Sequence, residues 1–311
     1  MDQWKALIDE CRSYVRSTRV ALESDGEKIS VRCDGPSRLK FASASTHARL
    51  PFAIAEGRLD ALGIDLVHRC ANGLLEQGAF ASAVSLELIH EGLSLESAET
   101  FLMGAARACR GGALTLLDLK VGHSENLANS SFVATVFGLS QLPFDWRPLE
   151  PARPGDVLVG LVGTGIGGNL ELIQSMIESR RLRSEETIPA CEITWGGFLC
   201  VPQKNFEGML RDPIGKRWPH GLVQIADDGL HSTLRRRFPD MTPQIDARSW
   251  PIPAAFTELH KRAQLSLDEM IDAFSMGIGF VVVVPPEQVK TLIDYLGLWC
   301  EPCWPIGKLI A

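Results

Sequence analysis

Leu62-Gly63-Ile64-Asp65-Leu66-Val67-His68-Arg69-Cys70-Ala71-Asn72-Gly73-Leu74-Leu75-Glu76-Gln77-Gly78-Ala79 is the stretch on which the fold turns. Residues 65–76 repeat apolar side chains at helical spacing and read as a helix. Upstream, residues 50–58 read as a shorter helix. Downstream, residues 81–88 alternate like a strand, and residues 95–110 form a helix with Ser94 as N-cap and Gly111-Gly112 as its stop. Residues 114–119 and 132–139 read as strands. At the N-terminal side, residues 3–22 form an amphipathic helix carried by Trp4, Leu7, Ile8, Cys11, Tyr14, Val15 and Val20. Residues 23–48 are polar and turn-rich, with one short strand at 29–32.

Pro143, Pro148, Pro151 and Pro154 crowd into one short stretch, and proline at that density ends regular structure. This places a boundary between domains at 1–150 and 151–311. The second half opens on the continuous apolar run 157–162, the mark of a strand buried on both faces. A helix over 169–183 follows, then strand-like segments at 192–200 and 243–246, and helices at 229–237, 253–262 and 267–274. The chain closes with a strand at 279–284, a helix at 287–296 and a strand at 307–310. Strands and helices alternate in both halves, so the fold class is α/β or α+β in two domains.

The 311 residues carry 31 Lys+Arg against 38 Asp+Glu, a formal charge of −7, which argues against an electrostatic nucleic-acid footprint. The one dense basic run, Arg235-Arg236-Arg237, reads as a solvated helix face. No leader or membrane-spanning stretch is visible, so the expectation is a soluble, cytoplasmic protein with no membrane and no nucleic-acid partner. Eight cysteines stand at 11, 33, 70, 109, 191, 200, 300 and 303 in no disulfide-like pattern. Trp299-Cys300-Glu301-Pro302-Cys303 has the spacing of a redox pair, but its first sulfur should then cap a helix that follows a strand. Here a short strand follows instead, so a turn with two packed thiols is expected.

Gly163-Thr164-Gly165-Ile166-Gly167-Gly168 matches G-x-G-x-x-G between a buried strand and a helix. Read alone, this loop admits three roles: a dinucleotide site, a phosphate or anion cradle, or a structural tight turn. The acidic residue that a dinucleotide fingerprint wants falls near Glu185 and Glu186, which precede the next strand-like segment rather than end one. As a cradle, the donors would be N–H groups around Thr164, Gly165, Gly167, Gly168 and Asn169, and Gly165→Val would abolish anion binding without unfolding the chain.

The 62–79 stretch closely resembles aminoimidazole ribonucleotide (AIR) synthetase, the phosphoribosylformylglycinamidine cyclo-ligase of the PurM-like superfamily, which reads G-I-D-L-V-x-M-C-V-N-D-x-x-x-Q-G-A here. The resemblance continues at Pro154-Gly155-Asp156-Val157-Leu158 with the glycine loop, at Met276-Gly277-Ile278-Gly279-Phe280, and at Ile306-Gly307-Lys308. It implies an N-terminal α+β domain, a C-terminal α/β domain, and a homodimer made by pairing N-terminal strands into a barrel. It also implies a reaction in which ATP and Mg²⁺ activate a formyl amide oxygen as a phosphate ester that a ring nitrogen displaces.

Several positions depart from that pattern. The family's nucleotide loop G-T-D-G-V-G-T-K falls on residues 42–49, where its metal-binding Asp becomes Ala44 and its glycines become Ala42, Ser45 and His47. The Asp of the N-D pair becomes Gly73 after Asn72. The G-G-E-T-A segment falls on Leu116-Leu117-Asp118-Leu119-Lys120, where only the acid Asp118 persists. The H-S-N-G histidine becomes Gly167, although Asn169 remains. Asp227, Asp228 and His231 occupy the T-G-G-G-x-x-E-N motif, and Ser275 replaces the Asn of F-N-x-G-x-G. Octahedral Mg²⁺ wants carboxylates at fixed positions, so no ATP, Mg²⁺ or other cofactor is expected.

Three functions compete. One is a protein that keeps the fold while its site is repurposed for another small molecule, possibly phosphorylated, or is catalytically dead. The second is a working ATP-dependent cyclo-ligase with a rebuilt nucleotide site, and the third is a dimeric scaffold. For a repurposed site the acid–base candidates are Asp227, Asp228, His231 and Asp118, since neighbouring carboxylates shift one another and histidine titrates near neutrality. The ligand-binding candidates are Thr164, Gly165, Gly167, Gly168, Asn169 and Asn72. The plainer reading of Asp227 and Asp228 is a helix N-terminus, at Ncap and N1.

Overall fold

The computed structural model describes residues 2–15, 21–24, 29–32, 37–46, 48–125, 127, 132–143 and 145–311. They divide into two compact units, 1–147 and 148–311.

The first unit runs α1 (Asp2–Tyr14), β1 (Ala21–Ser24), β2 (Ile29–Arg32), β3 (Ser37–Ser45), α2 (Leu50–Ala55), α3 (Leu59–Leu75), β4 (Ala83–His90), α4 (Leu95–Gly111), β5 (Thr115–His123) and β6 (Phe132–Pro143). Its main sheet has the order β3-β6-β4-β5, with β4 and β5 parallel and the other pairs antiparallel. The opening stretch of sequence forms α3, which buries Leu62, Leu66, Val67, Cys70, Ala71 and Leu74 on this sheet and on α4. Gly63 is there for close approach: a Cβ on it would stand 2.7 Å from Ala105 N of α4. Gly104 of α4 is in turn pressed against the Asp60 backbone of α3, so two glycines let the helices cross backbone to backbone.

The second unit runs β7 (Val157–Val162), α5 (Leu170–Glu178), α6 (Trp195–Leu199), α7 (Glu207–Gly215), β8 (Gly221–Gln224), α8 (Leu230–Arg237), β9 (Thr242–Ile245), α9 (Ala254–Ala263), α10 (Leu267–Ala273), β10 (Ile278–Val284), α11 (Val289–Gly297) and β11 (Cys303–Ile310). Its sheet has the order β8-β10-β7-β11-β9, antiparallel throughout. Central β7 is the continuous apolar run of the sequence, and its Leu158, Val159 and Leu161 are fully buried. The glycine loop leaves the end of this strand.

Some elements differ from the sequence reading. α1 stops at Tyr14 and residues 21–24 pair as β1, so one helix does not span 3–22; residues 16–20 lie outside the described set. The segment 192–200 contains α6 rather than a strand: Thr194 Oγ1 accepts from Gly197 N at 3.1 Å and caps a short helix whose Trp195 is fully buried. α5 ends at Glu178 rather than near 183, where Ser179 Oγ bonds Ser175 O and Arg180 turns to φ +57°. The last strand begins earlier than expected, at Cys303. His47 and Cys33 also lie outside the described residues.

Candidate functional site

Where the resemblance sets a nucleotide loop, Ala42, Ser43, Ala44 and Ser45 lie in β3, in register with Gly138, Phe137, Val136 and Thr135 of β6. Thr46 turns the chain, its Oγ1 accepting from Ala134 N at 3.1 Å. Arg49 then enters the core, with its Nε 3.4 Å from Asp65 Oδ2. The end of α3 is held to β3 by Gln77 Nε2, which donates to Phe41 O at 2.8 Å. Asn72 is fully buried, and a Cβ on Gly73 would meet Ala42 Cβ at 3.3 Å. Asp118 stands 3.5 Å from Lys120 Nζ. Leu116 packs on the main core, and Leu117 on Ala83 and Leu139.

In the second unit several glycines of the loop press closely on neighbouring segments. A Cβ on Gly163 would stand 2.7 Å from Gly279 Cα, and one on Gly167 would stand 3.0 Å from Ile225 O. Gly165 has φ +63° and would press a Cβ to 2.6 Å from Val201 O, so Gly165→Val would strain the fold itself rather than serve as a clean probe. Two of the expected anion donors are engaged elsewhere. Gly168 N donates to Ala226 O at 2.8 Å, and Asn169 N donates to Ala273 O at 2.9 Å. Asn169 Oδ1 caps α5 by accepting from Leu172 N, and Thr164 Oγ1 donates to Pro202 O at 2.6 Å.

What remains is a pocket formed where the 201–205 segment lies along the loop, lined by Thr164, Gly165, Gly167, Gln203, Lys204 and Ser275 among others. Gln203 is fixed there by Gln224 Nε2, which donates to its Oε1 at 2.7 Å. Lys204 is ion-paired with Glu301, whose side chain is 7% exposed. Sequence reasoning passed over Gln203, Lys204 and Glu301. Lys204 follows a segment misread as a strand, and Glu301 sat inside a motif judged only as thiols. Ser275 was visible only as a departure from the family pattern.

The acid–base candidates separate. Neither aspartate caps α8, whose N-cap is Gly229, so the Ncap and N1 reading of Asp227 and Asp228 is corrected. Gly229 takes that place because the α10 backbone at Asp272 leaves no room for a Cβ. Asp228 pairs with Arg236, Asp227 is exposed, and His231 Nδ1 lies 3.0 Å from Asp272 Oδ1. Cys300 occupies a turn at φ +54°, and burial, followed by the Glu301 carboxylate, pushes the Cys303 thiol up to about 11. The shift at Cys303 disfavours its thiolate.

Residues 153–311 match the AIR synthase related protein, C-terminal domain. The chain belongs to the AIR synthase related family. It is 28% identical over 270 residues to the phosphoribosylformylglycinamidine cyclo-ligase of Thermosynechococcus vestitus, covering 85% of this chain and 78% of that one. It is 25% identical over 320 residues to the cyclo-ligase of Lawsonia intracellularis, covering 98% and 90%. Among solved structures, thiamine-monophosphate kinase from Stenotrophomonas maltophilia K279a superposes with a TM-score of 0.72 at 17% identity, covering 98% of this chain and 93% of that one. The hydrogenase maturation protein HypE of E. coli superposes with a TM-score of 0.69 at 14% identity, covering 99% and 92%. The two-domain PurM-like fold expected from the sequence is therefore the fold of this AIR synthase related chain. Among the described residues, no helix is long and apolar enough to cross a membrane.

Proposed function

We propose that this protein is an AIR synthase related homodimer that does not use Mg-ATP in the manner of the cyclo-ligases, and that it binds a small anionic metabolite at the glycine loop of its C-terminal unit. The observation that carries the reading is the paired strand at residues 42–45. A phosphate cradle needs a glycine-rich turn with free amides, and a regular strand hydrogen-bonded to β6 does not offer one. The residues present do not fit a Mg²⁺ ion held in the family manner. Ala44 and Gly73 carry no side-chain carboxylate, and β3 closes against Gly73. Leu39, Phe41 and Phe137 support the homodimer, because they are exposed together on the sheet face opposite the helices.

The second reading, a working cyclo-ligase with a rebuilt nucleotide site, is favoured by identity to cyclo-ligases that runs through both units. Turnover separates the two. Incubation with formylglycinamidine ribonucleotide, ATP and Mg²⁺ is expected to give no imidazole product, and ATP-dependent ring closure would establish the second reading instead.

A further inference from the structure

The last pair in the register of β4 and β5 is His90 with His123. Their rings meet edge to face with centroids 5.6 Å apart, and the Trp4 ring of α1 stacks on His90 at 4.8 Å. His90 Nδ1 is buried and has no hydrogen-bond partner among the described residues. In the neutral ring this leaves one uncharged atom unmet. In the protonated ring it leaves a charged N–H donor unmet, which costs more.

Among the described residues, no carboxylate offsets that charge. Side chains alternate along strands, so Glu87 of β4 and Asp118 and Lys120 of β5 fall on the sheet face opposite His90. Asp118 and Lys120 pair with each other, and Glu91 Oε2 accepts from Leu127 N at 3.1 Å. β6, whose Phe132 is in register with His90, carries no charged residue. On α1, Lys5 and Asp9 are exposed, and Glu10 acts with Glu99 of α4 on the Cys11 thiol. Glu96 and Arg107 of α4, and Glu125 after β5, are exposed. Burial first, and then His123, hold His90 below the usual histidine value, so the neighbour that acts on it has the same sign. The Trp4 face attracts a cation, but it offers Nδ1 no acceptor.

α1 is anchored unevenly. Leu7 and Cys11 enter the core, Cys11 Sγ lies 3.8 Å from Met103 Sδ of α4, and Arg110 of α4 lies over the Tyr14 ring. The first turn rests through Trp4 on His90.

We propose that Trp4, His90 and His123 form a proton-operated clasp, which holds the first turns of α1 on β4 and β5 at neutral pH and releases them on acidification while α3 stays folded. The neutral ring is the form the fold favours. The clasp is therefore complete above about pH 6.5 and opens as pH falls from there toward the lower folded value. It involves neither the glycine loop nor a nucleotide, and stands apart from the functional reading above.

The test is hydrogen exchange of the 311-residue chain, read by peptide mass spectrometry from about pH 7.5 to about pH 5 and corrected for the intrinsic change in exchange rate. Opening of α1 should increase as pH falls, by up to about tenfold per pH unit for one proton taken up, with protection of α3 unchanged. His90→Phe gives Trp4 a ring that takes no proton, and α1 protection should then stay level. Should that variant melt early, His123→Gln decides. It removes a like charge from an exposed position and should shrink the wild-type rise about threefold, as a like charge at this range does even in water. A wild-type rise that is absent from His90→Phe, or reduced in His123→Gln, supports the clasp. Protection of α1 that ignores pH, an equal rise in wild type and His90→Phe, an unchanged rise in His123→Gln, or loss of α3 protection in step with α1 overturns it.

Discussion

Arg49 Nε lies 3.4 Å from Asp65 Oδ2, and the two side chains are 6% and 3% exposed. The pair ties the start of α2 to α3, a few residues after the strand that takes the place of a nucleotide loop. Removing one partner from a buried pair strands the other charge, at a cost of about 3–5 kcal/mol. Asp65→Ala should therefore lower the urea midpoint steeply, whereas exchanging Arg49 and Asp65 together for apolar residues of similar volume should recover much of the loss. Equal losses in the single and double variants would show that the pair is not the source of the effect.

The glycine crossing of α3 and α4 makes a second prediction. Gly63→Ala should destabilise by about 1–3 kcal/mol or more, because its Cβ meets helix backbone that no rotamer change can move aside. Gly111→Ala, on the same helix pair but with open space around it, should change stability little. Chemical denaturation of both variants checks the contrast.

His90 links stability to pH. Its ring stacks on Trp4 with centroids 4.8 Å apart, and burial first, then the nearby His123, hold its pKa below the usual histidine value. The neutral form is therefore the one the fold favours. The stability it contributes is complete above the unfolded value of about 6.5 and is lost as pH falls from there toward the lower folded value. Thermal melts of wild type should drop over this window, and His90→Phe should flatten the slope. An unchanged slope would remove His90 as its origin.

Thiol reactivity should be uneven. Burial pushes Cys70 and Cys109 up to about 12, and Cys303 up to about 11, while Cys300 is exposed. Brief alkylation near neutral pH, read by peptide mass spectrometry, should label Cys300 well before these three, since the thiolate is the reactive form. Equal labelling of Cys303 would contradict this ordering.

The exposed sheet face carries the dimer prediction. Phe41 is 64% exposed and Phe137 is 52% exposed. Light scattering should report twice the 34.1 kDa chain mass, and Phe41→Glu should shift the particle toward monomer. A wild-type monomer at micromolar concentration would contradict it.

The helices and the buried strands were legible because burial is written as periodicity: β7 and β10 are apolar runs, and α3 and α4 repeat at helical spacing. Local competition was not. α6 is only five residues long and depends on a threonine cap and a glycine pair, which a strand reading of its apolar residues overlooks. The site was half legible. The glycine loop stood out in sequence, yet whether its amides face a ligand or protein depended on Ala226 and Ala273, far along the chain. Asp227, Asp228 and His231 looked like a cluster because they are neighbours in sequence. In space Asp228 turns to Arg236 and His231 to Asp272. Lys204 and Glu301 are 97 positions apart, and only the fold brings them together.

The most direct test of the central claim is calorimetric titration of the 311-residue chain with ATP in excess Mg²⁺. No saturable heat is expected, and an Ala44→Asp variant should not restore it, because one carboxylate supplies neither the second ligand at Gly73 nor a glycine turn in place of β3. Micromolar Mg-ATP affinity in the wild-type protein would contradict the account.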